Sequence, residues 1–356
     1  MQSSGMSETG DSWVFYRRPV TSQIVHMSGN ARVVTRDDEW MNTPGFIVAP
    51  FNPKKHKTYF IETVTNINIH TENEMSGIFN DGIKMPCADK HGKPWRNIHM
   101  REYLSLINQV KTEIENTELD KVVLSRVINV DGIKPYSAVE MFIELCVKYP
   151  NAFVYLFYIP RVGLWLGATP ETLITGQDNR YRIVSLAGTV EWKPGLSFNR
   201  LWSPKELVEQ QMVTDYIRTV IKEAGIDNYE MIGPETIKAG KLSHLRTAFR
   251  FRNDDHDKIN GLIKKLHPTP AVCGLPKEKA MDLIAEIERY DRTYYSGFLG
   301  PVCNDGFGLF VNLRCLQFTN RGVQLFVGGG ITKDSDPRSE WKETEMKART
   351  LLDVIK

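Results

Sequence analysis

Two acids three residues apart, Glu340 and Glu343, with Lys347 four residues further on, form the most chemically pointed group in the sequence. They lie in GGGITKDSDPRSEWKETEMKARTLL, whose second half has helical spacing. Positions i, i+3 and i+7 then project from one helix face. Like charges so placed repel by ~0.2–0.5 kcal/mol when exposed. A hard cation such as Mg²⁺ reverses that sign, because it takes oxygen ligands and keeps waters. The other reading is a solvated face with Glu343 and Lys347 as a surface pair. Gly328, Gly329 and Gly330 follow a strand-like run and are expected to turn tightly, offering backbone N–H groups to an anion. A second acid pair, Glu206 and Glu209, has the same spacing. By itself it reads as surface decoration; facing the first pair across a cleft it could share one metal, and spacing does not decide between these.

Other candidates stand singly. Lys121 opens the apolar run KVVLSRV, where lysine is seldom found unless paired or working. Glu171 follows the turn GATP at a strand end; near apolar strands its pKa would rise, making it a proton donor near neutrality, and the alternative is a turn cap. Arg314 in FVNLRCLQF is expected to point inward or sit at a β-bulge, and an internal guanidinium needs an anionic partner. His244 and His267 lack metal spacing and read as structural hydrogen-bonders, and Cys273 has no evident activating base. There is no G-x-S-x-G, H-E-x-x-H or P-loop. An acid, a lysine base, paired carboxylates and cationic or Gly-rich anion holders suit Mg²⁺-assisted proton transfer on a small polyanion.

These groups need elements to hold them. Short strand-like runs fill 13–64, and helical periodicity marks 98–117. A strand at 120–130 precedes a helix capped by Ser137 and stopped by Pro150. AFVYLFYI and VGLWLGA read as a hairpin, and Ser203-Pro204 opens a helix over 203–224. Strands are expected at 243–250, 294–302, 307–319 and 322–328, with helices at 256–266, 277–289 and 337–355. The pattern implies an α+β fold with mostly antiparallel sheets. A dinucleotide-binding G-x-G-x-x-G unit is absent.

The 356 residues are 41% hydrophobic and 25% charged with net charge +2, which gives no electrostatic case for nucleic acid. Five scattered cysteines argue against a disulfide framework or structural zinc, so reduced thiols and a cytoplasmic location are expected. Residues 1–12 are expected to be a disordered tail ahead of one domain over 13–356. No apolar run is long enough for a membrane span, and a monomer is the default expectation.

Eight segments in order, KVVLSR, GATPETL, LAGT, HLRT, HPTPAVCGLP, YDRTYYSG, LRC and the GGGITKDSDPRSEWKETEMKA block, resemble the chorismate-utilising enzymes: isochorismate, salicylate, anthranilate and aminodeoxychorismate synthases. The resemblance runs from residue 121 to about 352 and implies two stacked antiparallel sheets with helices outside and the active site between the layers. It implies chorismate as substrate and Mg²⁺ as cofactor, with Glu209 and Glu343 as metal ligands and Glu340 beside them. Arg314, Gly328 and Lys347 would hold substrate carboxylates, and His244 would sit near the ring carboxylate. Gly188, Thr189, Ala271 and Gly330 would also line the pocket. SGFLGPV and GFGLFVNLRC are less typical of these relatives and could alter the pocket shape.

Three positions select among the family's reactions. Ammonia-using relatives usually carry Gln where this chain has Lys121, and a lysine desolvated by its strand can accept a proton from water. Aminodeoxychorismate synthases usually place a nucleophilic Lys where this chain has Ala187. Relatives that eliminate pyruvate carry Thr or Ser where this chain has Ala271. Together these imply an isochorismate synthase with Lys121 as base and Glu171 as acid and no glutaminase partner. Salicylate synthase and anthranilate synthase component I are the alternatives. Menaquinone and catecholate siderophore routes both begin from isochorismate, and the sequence does not choose between them.

Overall fold

The computed structural model describes residues 12–35, 40–41, 43–69, 74, 94–191, 195, 197–239 and 242–355. Four strands come first: β1 (Ser12–Arg17), β2 (Ile24–Val33), β3 (Gly45–Ala49) and β4 (Tyr59–Ile69). Helix α1 (Met100–Asn116) leads into β5 (Lys121–Asp131), and α2 (Ala138–Lys148) into the hairpin of β6 (Phe153–Ile159) and β7 (Gly163–Thr169). Strands β8 (Thr172–Gln177) and β9 (Arg180–Glu191) precede α3 (Pro204–Glu223), β10 (Tyr229–Ala239) and β11 (Leu242–Arg252). Next come α4 (His256–Leu266), the two-residue β12 (Gly274–Leu275) and α5 (Lys277–Ile287). Strands β13 (Phe298–Cys303), β14 (Gly306–Val311), β15 (Cys315–Phe318) and β16 (Gly322–Ile331) lead to α6 (Pro337–Leu352).

The strands join in one ladder, β10-β11-β9-β8-β14-β13-β3-β4-β2-β1-β6-β7-β15-β16-β5-β12. The neighbour pairs are antiparallel throughout, so the expected α+β class holds. The two stacked layers are halves of this single ladder. Phe153 on β6 and Phe310 on β14 lie far apart in strand order, yet their rings stack at 4.1 Å and 6°. Phe46 on β3 reaches Tyr16 on β1 at 5.8 Å and Phe153 at 6.4 Å. A twisted sheet of this width curls and packs on itself, burying its inner face.

Local chemistry fixes the helix starts. The Ser203 backbone N–H donates to Glu206 Oε2 at 2.9 Å, and Pro204 occupies the first helical position. Asp336 accepts from the Ser339 N–H at 2.8 Å ahead of Pro337. Ser137 does not cap α2: it ends a short 3₁₀ turn, Pro135–Ser137, and its hydroxyl donates to the Lys134 carbonyl at 2.7 Å. On α1, Tyr103, Ile107, Val110 and Ile114 form the buried stripe that the periodicity predicts.

The differences have physical reasons. β2 carries polar residues and Gly29, where a Cβ would meet the Glu62 carbonyl oxygen at 1.9 Å, so its alternation is weak. β10 contains Pro234, tolerated because it is the ladder's end strand. The run 307–319 is two strands broken at residues 312–314, and the run from 294 becomes a strand only at Phe298. Residues 1–11 of the expected tail and Cys87 lie outside the described residues, while Ser12 is already in β1. Among the described cysteines, Cys146, Cys273, Cys303 and Cys315 are free. No described helix is long and apolar enough to cross a membrane.

Candidate active site

A cleft enclosing about 1060 Å³ of atom-free space, part of it open to solvent, lies where the starts of β5 and α3 meet the middle of α6 and the end of β16. Lys121 on β5 is 1% exposed and lines it, and its Nζ donates to Glu209 Oε1 of α3 at 2.7 Å. This lysine is thus both paired and inside the pocket. The pair fits because β16 carries no side chain beside it. A Cβ on Gly330 would lie 2.7 Å from Lys121 Cε and 3.1 Å from Glu209 Oε1.

Gly328, Gly329 and Gly330 do not form an anion-binding turn. They are strand residues of β16, paired with Ser125, Leu124 and Val123. Their contribution is space: at Gly328 a Cβ would meet the Tyr295 hydroxyl at 3.0 Å. Lys347 Nζ donates to the Gly328 carbonyl at 2.9 Å and pairs with Glu343 at 2.6 Å.

Glu171 occupies the β7–β8 turn. Thr169 Oγ1 donates to the Val311 carbonyl at 2.6 Å and accepts from the Glu171 N–H at 3.2 Å, while the Val311 N–H donates to the Glu171 carbonyl at 2.9 Å. The turn is thus tied to β14 and aims the side chain into the cleft. Burial pushes its carboxyl up to about 7, against the lowering pull of Lys121, Lys347 and Arg314.

Arg314 sits neither in a strand nor at a bulge. It takes a left-handed conformation, φ 47°, between β14 and β15, and its Nη1 donates to Thr350 Oγ1 of α6 at 2.8 Å. Asn312 fixes this break, donating to the Tyr294 carbonyl at 2.9 Å and accepting from the Tyr155 hydroxyl. Burial lowers the guanidinium's pKa, opposed by Glu343 and Glu171.

Gly188, φ 68°, is the extra residue of a bulge on β9, where the register with β11 shifts between His244 and Leu245. His244 lines the cleft; burial and then Arg314 hold its pKa down at about 4, so its imidazole is neutral at pH 7. Thr189 pairs with His244 in the ladder. Ala271 lines the cleft on the loop before β12.

Glu340 departs from the expected shared face. It is 3% exposed, accepts from Ser335 Oγ at 2.7 Å, and lies behind Gly329, while Glu343 and Lys347 line the cleft. Residues three apart on a helix differ by about 60° in direction, enough to divide this pair around the edge of β16. Glu206, which the sequence left open between surface decoration and a place facing the other acid pair, lines the cleft, as do Tyr295 and Leu186. Its position three residues before Glu209 was the available signal. His267 is structural, its Nε2 2.9 Å from the Pro50 carbonyl oxygen, and burial pushes the Cys273 thiol up to about 12.

The carboxylates match Mg²⁺ in kind, since all are hard oxygen donors on facing elements. Glu209 and Glu343 reach the cleft from α3 and α6, each within hydrogen-bonding distance of a lysine amine. Among the described residues no three acidic, histidine or cysteine side chains are already converged as a metal cage.

This fold and cleft define a class. The profile of the chorismate binding enzyme family matches residues 52–356, and the chain belongs to that family. It is 32% identical over 316 residues to isochorismate synthase EntC of Escherichia coli, an alignment covering 86% of this chain and 79% of EntC. The menaquinone-specific isochorismate synthase MenF of Escherichia coli has the same fold, with TM-score 0.76 at 21% identity over 97% of this chain and 89% of MenF. Anthranilate synthase component I from Streptococcus pneumoniae also shares it, with TM-score 0.70 at 19% identity over 95% and 92% of the two chains. The fold therefore spans more than one reaction, and the choice rests on the cleft.

Proposed function

We propose that residues 13–356 act as one catalytic unit converting chorismate to isochorismate. The observation that carries this reading is the pairing of roles in one cleft: a buried lysine amine, and a carboxyl held near pH 7. Lys121 takes a proton from the water that forms the new C–O bond at ring C2. Glu171 gives its proton to the C4 hydroxyl, whose C–O bond breaks as the ring double bonds shift. One water enters and one leaves, so the product is an isomer and no redox partner is needed. Arg314 and Lys347 hold the substrate's two carboxylates and keep C2 and C4 between base and acid. A bound Mg²⁺ would supply Lewis-acid charge to the substrate, with Glu209 and Glu343, the acids of the two helices that line the cleft, holding it.

Ala271 offers no hydroxyl to the cleft, which supports stopping at isochorismate rather than eliminating pyruvate. Lys121 supports water as the nucleophile, so no glutaminase subunit is required. The test is chromatography of purified protein with chorismate and Mg²⁺, without ammonia. Isochorismate as sole product is expected. Salicylate with pyruvate would move the chain to the lyases, and anthranilate appearing only once ammonia is added would overturn the role given to Lys121.

A further inference from the structure

Beneath the cleft lies a charged group that the chemistry above does not use. Arg292 is 3% exposed and spends its guanidinium on three separate segments. Its Nε and Nη2 donate to Glu288 at 2.7 and 2.6 Å, just beyond α5. Nη2 also donates to the Val123 carbonyl of β5 at 2.7 Å, and Nη1 to the Val272 carbonyl at 2.8 Å. Glu288 is itself locked, accepting from the Ser125 N–H and hydroxyl at 2.7 Å each.

Both carbonyls belong to residues that line the cleft. Val123 is two residues from Lys121, and Val272 adjoins Ala271. The loop carrying Ala271 and Val272 has no strand partners of its own, since β12 begins only at Gly274. Beyond Arg292 it is tied to β5 by the Val123 N–H donating to the Cys273 carbonyl at 2.7 Å. A buried ion pair is weak evidence for stability, since apolar replacements of similar volume are often neutral or stabilising. A planar fork that bridges the backbone carbonyls of two neighbouring cleft-lining segments has a geometric use that a point charge lacks.

We propose that Arg292, held by Glu288, is a positioning residue: it fixes how the Ala271–Val272 loop lies against the strand carrying Lys121, and so the shape of the cleft that both segments line. The kinetic part rests on the isochorismate synthase reading; the structural part does not. Loosening the clamp frees the wall without removing any group that touches substrate. A displacement near 1 Å is enough to cost about 100-fold in rate.

The test compares wild type with Arg292→Lys and with the double variant Arg292→Met/Glu288→Met, which removes both buried charges together. Melting temperature, kcat and KM for chorismate with Mg²⁺, and hydrogen exchange of peptides covering 269–275 are measured on each. The double variant is expected to fold, to exchange faster at 269–275, and to lose about tenfold or more in kcat with KM within about threefold. Arg292→Lys keeps the charge but not the fork and is expected to show the same split. A folded variant with wild-type kcat, KM and exchange overturns the proposal, as does a loss accounted for entirely by a smaller folded fraction. If the double variant does not fold, Arg292→Lys decides by the same criteria; if neither folds, the clamp is a stability element and the proposal fails. Should wild type itself make no isochorismate, the function reading falls, while exchange at 269–275 still judges the clamp.

Discussion

At the residue scale the cleft is a set of opposed charges, and the sign of each effect can be worked out. Replacing Lys121 with Gln removes the only amine placed at the C2 side in the proposed chemistry; turnover is expected to fall at least ~100-fold while chorismate still binds. Loss of binding in an equilibrium titration would instead make Lys121 a substrate holder. Glu171 gives a pH prediction. Its pKa is raised to about 7, so the donating form prevails below that value and kcat should fall as pH rises through it. The same shift acts on stability. A raised carboxyl favours the fold fully below its unfolded value, and that contribution, about 3 kcal/mol, is lost as pH rises through about 7. Glu171→Gln should therefore be inactive and should melt higher than wild type at pH 8; an unchanged or lower melting temperature would contradict the assigned burial cost. Lys121 was legible in the sequence because a lysine opening an apolar strand stands against a local rule, whereas Glu171 after a tight turn also fitted a turn cap and was singled out as the acid through the resemblance. The pairing of Lys121 with Glu209 was not, since it links β5 to α3 across the chain and depends on the absent side chain at Gly330.

At the element scale, strands supply the floor of the cleft, helices α3 and α6 supply Glu206, Glu209 and Glu343, and the β7–β8 turn supplies Glu171. The capping chemistry of α3 and α6 was readable from Ser203-Pro204 and Asp336-Pro337, and it places the Glu206–Glu209 and Glu340–Glu343 pairs in the opening turns. The side of β16 on which each acid lands was not readable, because it depends on how α6 packs against that strand. Arg314 shows the same limit: its left-handed turn comes from Asn312 contacts with Tyr155 and Tyr294, both remote in sequence. The role of the glycines on β16 is testable at this scale. Gly330→Ala would set a methyl against the Lys121–Glu209 pair, and the atoms it meets are flexible side-chain ends. The fold should survive and kcat should drop about tenfold or more, since the base is displaced from its near-attack position. Wild-type kinetics in a folded Gly330→Ala protein would show that the floor tolerates a side chain.

At the scale of the whole molecule, the α+β class followed from strands with short turns interrupted by helices. The closure of those strands into one ladder did not, because pairings such as β14 with β8 and β15 with β7 leave no local mark. A ladder without a break predicts joint loss of sheet and tryptophan environment. Unfolding followed by far-ultraviolet dichroism and by tryptophan fluorescence should give coincident transitions; separate midpoints would mean that the two layers come apart independently. The pairing of β5 with β16 has a further consequence for the chain as it is made. Lys121 to Asp131 emerge from the ribosome long before Gly322 to Ile331, the strand that covers one edge of them. At cellular elongation rates that interval is on the order of 10–40 s. Throughout it, a mostly apolar edge waits without its long partner, so newly made chains should lean on holding chaperones, and slowing translation beyond β5 should lower the yield of folded protein.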